Sequence, residues 1–186
     1  MTCEEMTIAA LKAGVVCVQY REKEKTRREI FNEAMSLRRL TGEYGASFIV
    51  NDHADIALAV NADGVHLGQD DLPLPEARKI MGKKIIGIST HSLSEAVEAS
   101  AGGADYIGFG PVFHTATKDA GEPKGVEMLN EIKSRVTIPV IAIGGITIGN
   151  LPFVLKAGAD GVAMASAILK GDISENVKSF LELIGR

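Results

Sequence analysis

Asp52 and Asp71 each stand where an apolar run gives way to a polar turn, within NDHADIALAVNADGVHLGQDD (51–71). Two hard carboxylates that leave coordination positions open are how proteins hold Mg²⁺ against a substrate phosphate, so this pair reads as a metal site. The other three aspartates of the stretch have structural or solvated roles. Asp55 suits a helix start, Asp63 suits the Ala-Asp-Gly turn before a strand, and Asp70 faces solvent. QYREK (19–23) carries a second chemistry. In an extended strand, Gln19, Arg21 and Lys23 share one face at a period of two. An amide and two cations at a strand tip suit an anionic ligand. Ser89 and His91 end KIIGISTH. After YIGFGPVF comes HTATKDAGEPKG, a long polar loop with Thr115, Thr117 and Lys118, of the kind that carries function on a rigid scaffold. The four histidines, 53, 66, 91 and 114, lack HExxH spacing, and His66 reads as a hydrogen-bonded core residue rather than a ligand.

These residues need strands to bring their tips together. LKAGVVCVQ, VNADGVHLG, AGGADYIGFG and KAGADGVAMAS each close an Ala-rich segment, pass a small residue and enter a β-branched run. Gly or Asn at the turn fits a left-handed helix end. The copies recur at roughly 42–55 residues, twice one strand-plus-helix unit. Between them lie SFIVND, KIIGIST and IPVIAIGG, the near-continuous apolar runs of parallel strands covered on both faces. In SLSEAVEASAGG, Ser92 and Glu95 are spaced as in a capping box.

The count is seven strands. Alternation alone fits an open doubly wound sheet or a TIM (β/α)8 barrel, and the paired repeat favours the barrel. GGI (144–146) and MASAI (164–168) add the glycine-rich late strand ends where such barrels bind phosphate. The expectation is one α/β domain, 1–186, a TIM barrel lacking its first strand. VVCVQYR and GVAMAS should flank the gap and leave sticky edges that favour a homo-oligomer.

Composition bounds the rest. With 46% hydrophobic residues, 186 residues can bury one sizeable core. A net charge of −4 offers no basic footprint for nucleic acid. No apolar run reaches the roughly 18–20 residues of a membrane span, and MTCEEMTIAALKAG is no signal peptide. Two cysteines, Cys3 and Cys17, make no disulfide framework, and Cys17 is expected in the core. The expected setting is cytoplasmic, with small-molecule substrates and neither nucleic-acid nor membrane partners.

QYREK, NDHADIALAVNADGVHLGQDD, GISTH, GADYIGFGPVFHTATK, PVIAIGGIT and GADGVAMASAI together resemble, in that order, the thiamine phosphate synthase family. The resemblance runs from about Leu11 to about Lys170. It implies a TIM barrel that joins a hydroxymethylpyrimidine diphosphate to a thiazole phosphate, giving thiamine phosphate and diphosphate. It also implies that Gln19, Arg21, Lys23, Asn51, Ser89 and Lys118 bind the pyrimidine diphosphate. Arg21, Lys23, Ser89 and Lys118 would form the catalytic set. Asp52 and Asp71 would hold Mg²⁺. Thr115, Thr117, Gly145, Ala165 and Ser166 would contact the thiazole phosphate. The implied mechanism is dissociative: diphosphate leaves a pyrimidine that stabilises the cation, and the thiazole nitrogen then attacks. In this family a short strand precedes the helix that opens here.

The related thiazole tautomerase family shares the barrel and the thiazole-phosphate site, but places a histidine where this sequence has Pro111. It does not need the diphosphate-binding set. QYREK, both aspartates and TATK favour the synthase. The retained metal carboxylates also count against a third reading, a non-catalytic paralogue that binds a thiamine precursor.

Overall fold

A computed structural model of the chain describes residues 1–115 and 121–185. Helix and strand alternate until two helices end the chain's described part: α1 (Cys3–Lys12), β1 (Cys17–Tyr20), α2 (Arg27–Glu43), β2 (Ser47–Asn51), α3 (Ala54–Ala59), β3 (Gly64–Leu67), α4 (Leu74–Met81), β4 (Ile85–Thr90), α5 (Leu93–Ala101), β5 (Tyr106–Phe109), α6 (Gly125–Arg135), β6 (Val140–Ile143), α7 (Leu151–Lys156), β7 (Gly161–Ala163), α8 (Ser166–Leu169) and α9 (Ile173–Ile184). All seven strands pair in parallel and in sequence order. They curl into an incomplete TIM-like barrel wall, with β1 and β7 as its edges among the described residues.

The repeated junctions work as their residue types require. Gly14, Asn61, Gly103 and Gly158 all have positive φ, at 109°, 51°, 89° and 93°. That conformation reverses the chain from helix into strand at little steric cost for Gly or Asn. In three junctions an aspartate follows two residues later and staples neighbouring elements. Asp63 Oδ2 accepts from the Phe48 N–H at 2.8 Å and from Arg38 at 3.2 Å. Asp105 Oδ2 does the same with Ile86 at 2.8 Å and Arg78 at 2.6 Å. Asp160 Oδ2 takes Val140 at 2.8 Å and Lys133 at 2.6 Å. One carboxylate thus satisfies a leading N–H of the previous strand, and its charge is neutralised by a cation from the helix that precedes that strand. The three staples sit at the N-terminal ends of the strands, away from the polar tips.

The core lies between the strands and the helices, built from side chains such as Phe48, Leu67, Ile86, Ile107, Leu129 and Leu151. α1 packs against both α2 and α9. Ala10, Ile173 and Val177 form a separate apolar cluster at the α1–α9 contact, so the helix layer joins on the side where the strand layer does not. Cys17 departs from expectation: it is exposed, because β1 is an edge strand with no neighbour on one side. Ser92 caps α5 by accepting from the Glu95 N–H, but the Glu95 carboxylate turns to the His91 N–H at 2.7 Å instead of closing the box. No helix of the described residues is long and apolar enough to cross a membrane.

Candidate active site

Parallel strands deliver their C-terminal ends to one mouth, and Asn51 and Asp52 lie at the end of β2. Asp52 has φ +63°, left-handed although it is not glycine. Such a conformation is unfavourable and persists where its surroundings hold it. Here the Asp52 N–H donates to the His66 carbonyl at 2.8 Å, and Asn51 Nδ2 donates to Asp52 Oδ1. Asp71 lies four residues beyond β3. A tight turn brings it back, with Asp71 Oδ2 accepting from the Gly68 N–H at 2.6 Å. The two carboxyls come within reach of one another. Burial first, and then the Asp71 carboxyl, raise the Asp52 carboxyl above its ordinary range, while Lys23 and Arg21 oppose the rise. Among the described residues no third His, Cys, Asp or Glu completes a cluster around them. Two hard carboxylates with open positions suit Mg²⁺, which keeps several ligands as water or substrate phosphate.

The cations arrive by a different route from the one their spacing suggests. β1 ends at Tyr20, so Arg21 and Lys23 lie in the following loop rather than on a shared strand face. Glu33 of α2 ties both ends of that loop. It accepts from Tyr20 Oη at 2.5 Å through one oxygen and from Lys25 Nζ at 2.5 Å through the other. A Thr26–Glu29 capping box then fixes the start of α2. Lys23, Arg27, Asp52 and His53 line a cleft of about 260 Å³ beside the loop. His91 lies beyond β4, exposed, and bonds Glu95 rather than facing the site.

Inside the barrel wall lies a polar layer. His66 is 6% exposed. Its Nδ1 meets Tyr106 Oη at 2.9 Å, and its Nε2 meets Ser89 Oγ at 2.8 Å. Burial holds His66 down at about 4, so the ring is neutral at physiological pH. His66 and Tyr106 sit on strands separated by β4. They meet because the position between them in register is Gly87. A Cβ there would come within 2.1 Å of the Tyr106 ring. The Ser89 carbonyl also accepts from Gln69 Nε2 at 2.6 Å.

The opposite side of the mouth is shaped by glycine. Gly144 and Gly145 follow β6 with φ +94° and +65°. A Cβ on Gly145 would lie 2.4 Å from the His114 carbonyl oxygen and 2.8 Å from that of Phe113. The backbone leading to Thr115 therefore rests directly on Gly145. β6 pairs with β7, and Ala165 and Ser166 follow β7 at the exposed start of α8. Gly145 and the Ala165–Ser166 pair thus follow neighbouring strands at the same end of the wall. Thr117 and Lys118 lie outside the described residues.

A family model described as thiamine monophosphate synthase matches residues 2–168. The chain belongs to the thiamine monophosphate synthase family. It is 51% identical over 165 residues to the thiamine-phosphate synthase of Chloroflexus aurantiacus, covering 88% of this chain and 76% of that one. It is 48% identical over 187 residues to the thiamine-phosphate synthase of Methanospirillum hungatei, covering 98% and 91%. The solved thiamine phosphate pyrophosphorylase from Pyrococcus furiosus superposes with a TM-score of 0.94 at 43% identity, covering 99% of this chain and 90% of that one.

Reasoning from residue types missed Tyr106 and the part His66 plays beside Ser89. The available signal was glycine inside otherwise continuous apolar strands, KIIGIST and YIGFG. A glycine there marks a place where another group must approach closely.

Proposed function

We propose that this chain is a thiamine-phosphate synthase, joining a hydroxymethylpyrimidine diphosphate to a thiazole phosphate with release of diphosphate. The observation that carries the reading is the approach of Arg21 and Lys23 to the Asp52–Asp71 pair at one strand mouth. Two cations and a metal-compatible carboxylate pair at one mouth are the groups a departing diphosphate would need. Asp52 and Asp71 would hold Mg²⁺, which supplies charge neutralisation to a departing diphosphate. Arg21 and Lys23 bind and neutralise the same group, with Lys118 assigned to it by resemblance. Gln19, Asn51 and Ser89 orient the pyrimidine diphosphate. Thr115 and Thr117, with the corner of Gly145, Ala165 and Ser166, hold the thiazole phosphate. No side chain is required as a covalent nucleophile. The protein's work is alignment and preorganised charge. The setting is the cytoplasm, and the partners are these small molecules, with a homo-oligomer as the quaternary proposal.

The test supplies the purified protein with both substrates and Mg²⁺ and measures thiamine phosphate and diphosphate. Equimolar formation of the two is the expected result. Isomerisation of a carboxythiazole phosphate without thiamine phosphate would assign the chain to the tautomerase reaction. Binding of either substrate with no turnover would make it a binding protein.

A further inference from the structure

Arg27 is not among the residues assigned to the diphosphate, yet it lines the same cleft of about 260 Å³ as Lys23, Asp52 and His53. Pockets for drug-sized ligands run from roughly 300 to 1,000 Å³, so this one suits a small group rather than a whole second substrate. Asp52, the proposed metal ligand, lines it too. An anion bound through a metal at Asp52 therefore has Arg27 within the same small space.

The charges around the cleft are unequally committed. Glu22 turns back on its own loop, where Oε1 accepts from the Glu24 N–H at 2.8 Å. Lys25 Nζ is held between Glu33 at 2.5 Å and Glu22 at 3.7 Å. Those three residues close on one another and leave Lys23 and Arg27 as the cations of the cleft. Arg27 is tied only at the surface. Its Nη2 donates to the Asp55 carboxylate, and its Nη1 donates to His53 Nδ1 at 3.4 Å. The side chains of the Arg27–Asp55 pair are 60% and 66% exposed. A pair so open to water holds weakly. A guanidinium also has five N–H donors, and two partners do not use them all. A phosphate, with more charge than one carboxylate, competes well for such a group.

Resting on the synthase reading, we propose that Arg27 binds the terminal phosphate of the diphosphate and so sets the preference for a diphosphate over a monophosphate of the same pyrimidine. The planar fork matches phosphate oxygens two at a time, whereas Lys23 offers a point charge. Asp55 competes with the phosphate for that fork. The opposing assignment is purely structural. Through Asp55 and His53, Arg27 ties the start of α2 to the turn that carries Asp52, and touches no ligand.

Calorimetry in Mg²⁺ separates the two, with inorganic diphosphate and the hydroxymethylpyrimidine monophosphate as ligands. Arg27→Ala should weaken diphosphate binding about tenfold, the scale of one hydrogen bond to a charged group, and leave the monophosphate within about twofold. Asp55→Ala removes the tie and keeps the cation, so diphosphate affinity should stay the same or rise. An unchanged diphosphate affinity in Arg27→Ala, an equal loss for both ligands, or the same loss in Asp55→Ala overturns the proposal. Failure of the unmodified protein to bind diphosphate overturns it as well. Formation of thiamine phosphate by the unmodified protein is a separate assay, and it decides the synthase reading whichever way the binding falls.

Discussion

The carboxyl groups of Asp52 and Asp71 come close enough to act on one another, although they leave different strands and both would be negative in isolation. Two like charges brought together and partly buried oppose folding unless a proton or a cation lies between them. The expected consequence is metal-dependent catalysis. Asp52→Asn or Asp71→Asn should lower turnover by about a hundredfold or more, the scale of losing one electrostatic stabiliser. Asn tolerates the left-handed backbone of position 52, so the fold should survive. Mg²⁺ should raise the melting temperature of the unmodified protein and leave that of either variant unchanged. Equal rates in EDTA and in Mg²⁺ would count against the metal assignment.

Gly145 supports the other substrate. With φ +65° and two carbonyl oxygens within 2.8 Å of any added Cβ, Gly145→Ala must displace the backbone that leads to Thr115. The expected outcome is a loss of about 1–3 kcal/mol of stability from backbone strain. KM for the thiazole phosphate should rise more than KM for the pyrimidine diphosphate. Equal effects on both KM values would remove Gly145 from the thiazole side.

The strand staples predict a pH dependence. Burial works against ionisation of Asp160, but Lys133 and the Val140 N–H outweigh it and hold this carboxyl below its ordinary range. A carboxylate depressed in the folded state stabilises the fold above its unfolded value, about 3.9. That stability is lost as pH falls through the lower folded value. Asp160→Asn should therefore melt below the unmodified protein at pH 7, and the difference should close as the solution is taken below about pH 3. A gap independent of pH would mean that shape rather than charge sets the contribution.

The fold was legible because its signals are local. A left-handed Gly or Asn, an Asp two residues on and a β-branched run recur at Asn61–Asp63, Gly103–Asp105 and Gly158–Asp160, and each copy announces a strand. Asp52 and Asp71 could be named because carboxylates at the ends of apolar runs are unusual. Their approach could not be foreseen, because it depends on a turn at Gly68 and on the handedness of one residue. Arg21 and Lys23 were found for a reason that does not hold. Period two requires a strand that continues, whereas β1 stops at Tyr20 and Glu33 anchors the loop from another element. Tyr106 was invisible because its meaning comes from register: only pairing across β4 places it beside His66 with Gly87 between them.

The contact of α1 with α9 bears on how this chain behaves in a crowded solution. An unpaired strand is hazardous when another chain can reach it in the plane of the sheet. Here the helices meet outside the β1–β7 side through Ala10, Ile173 and Val177. That contact closes the helix layer alone: Cys17 on β1 is exposed, so the strand edge itself stays within reach. Self-association by strand pairing would therefore leave the α1–α9 contact intact, in keeping with the homo-oligomer proposed above, and would be read as a change of mass with concentration rather than as a loss of helix packing.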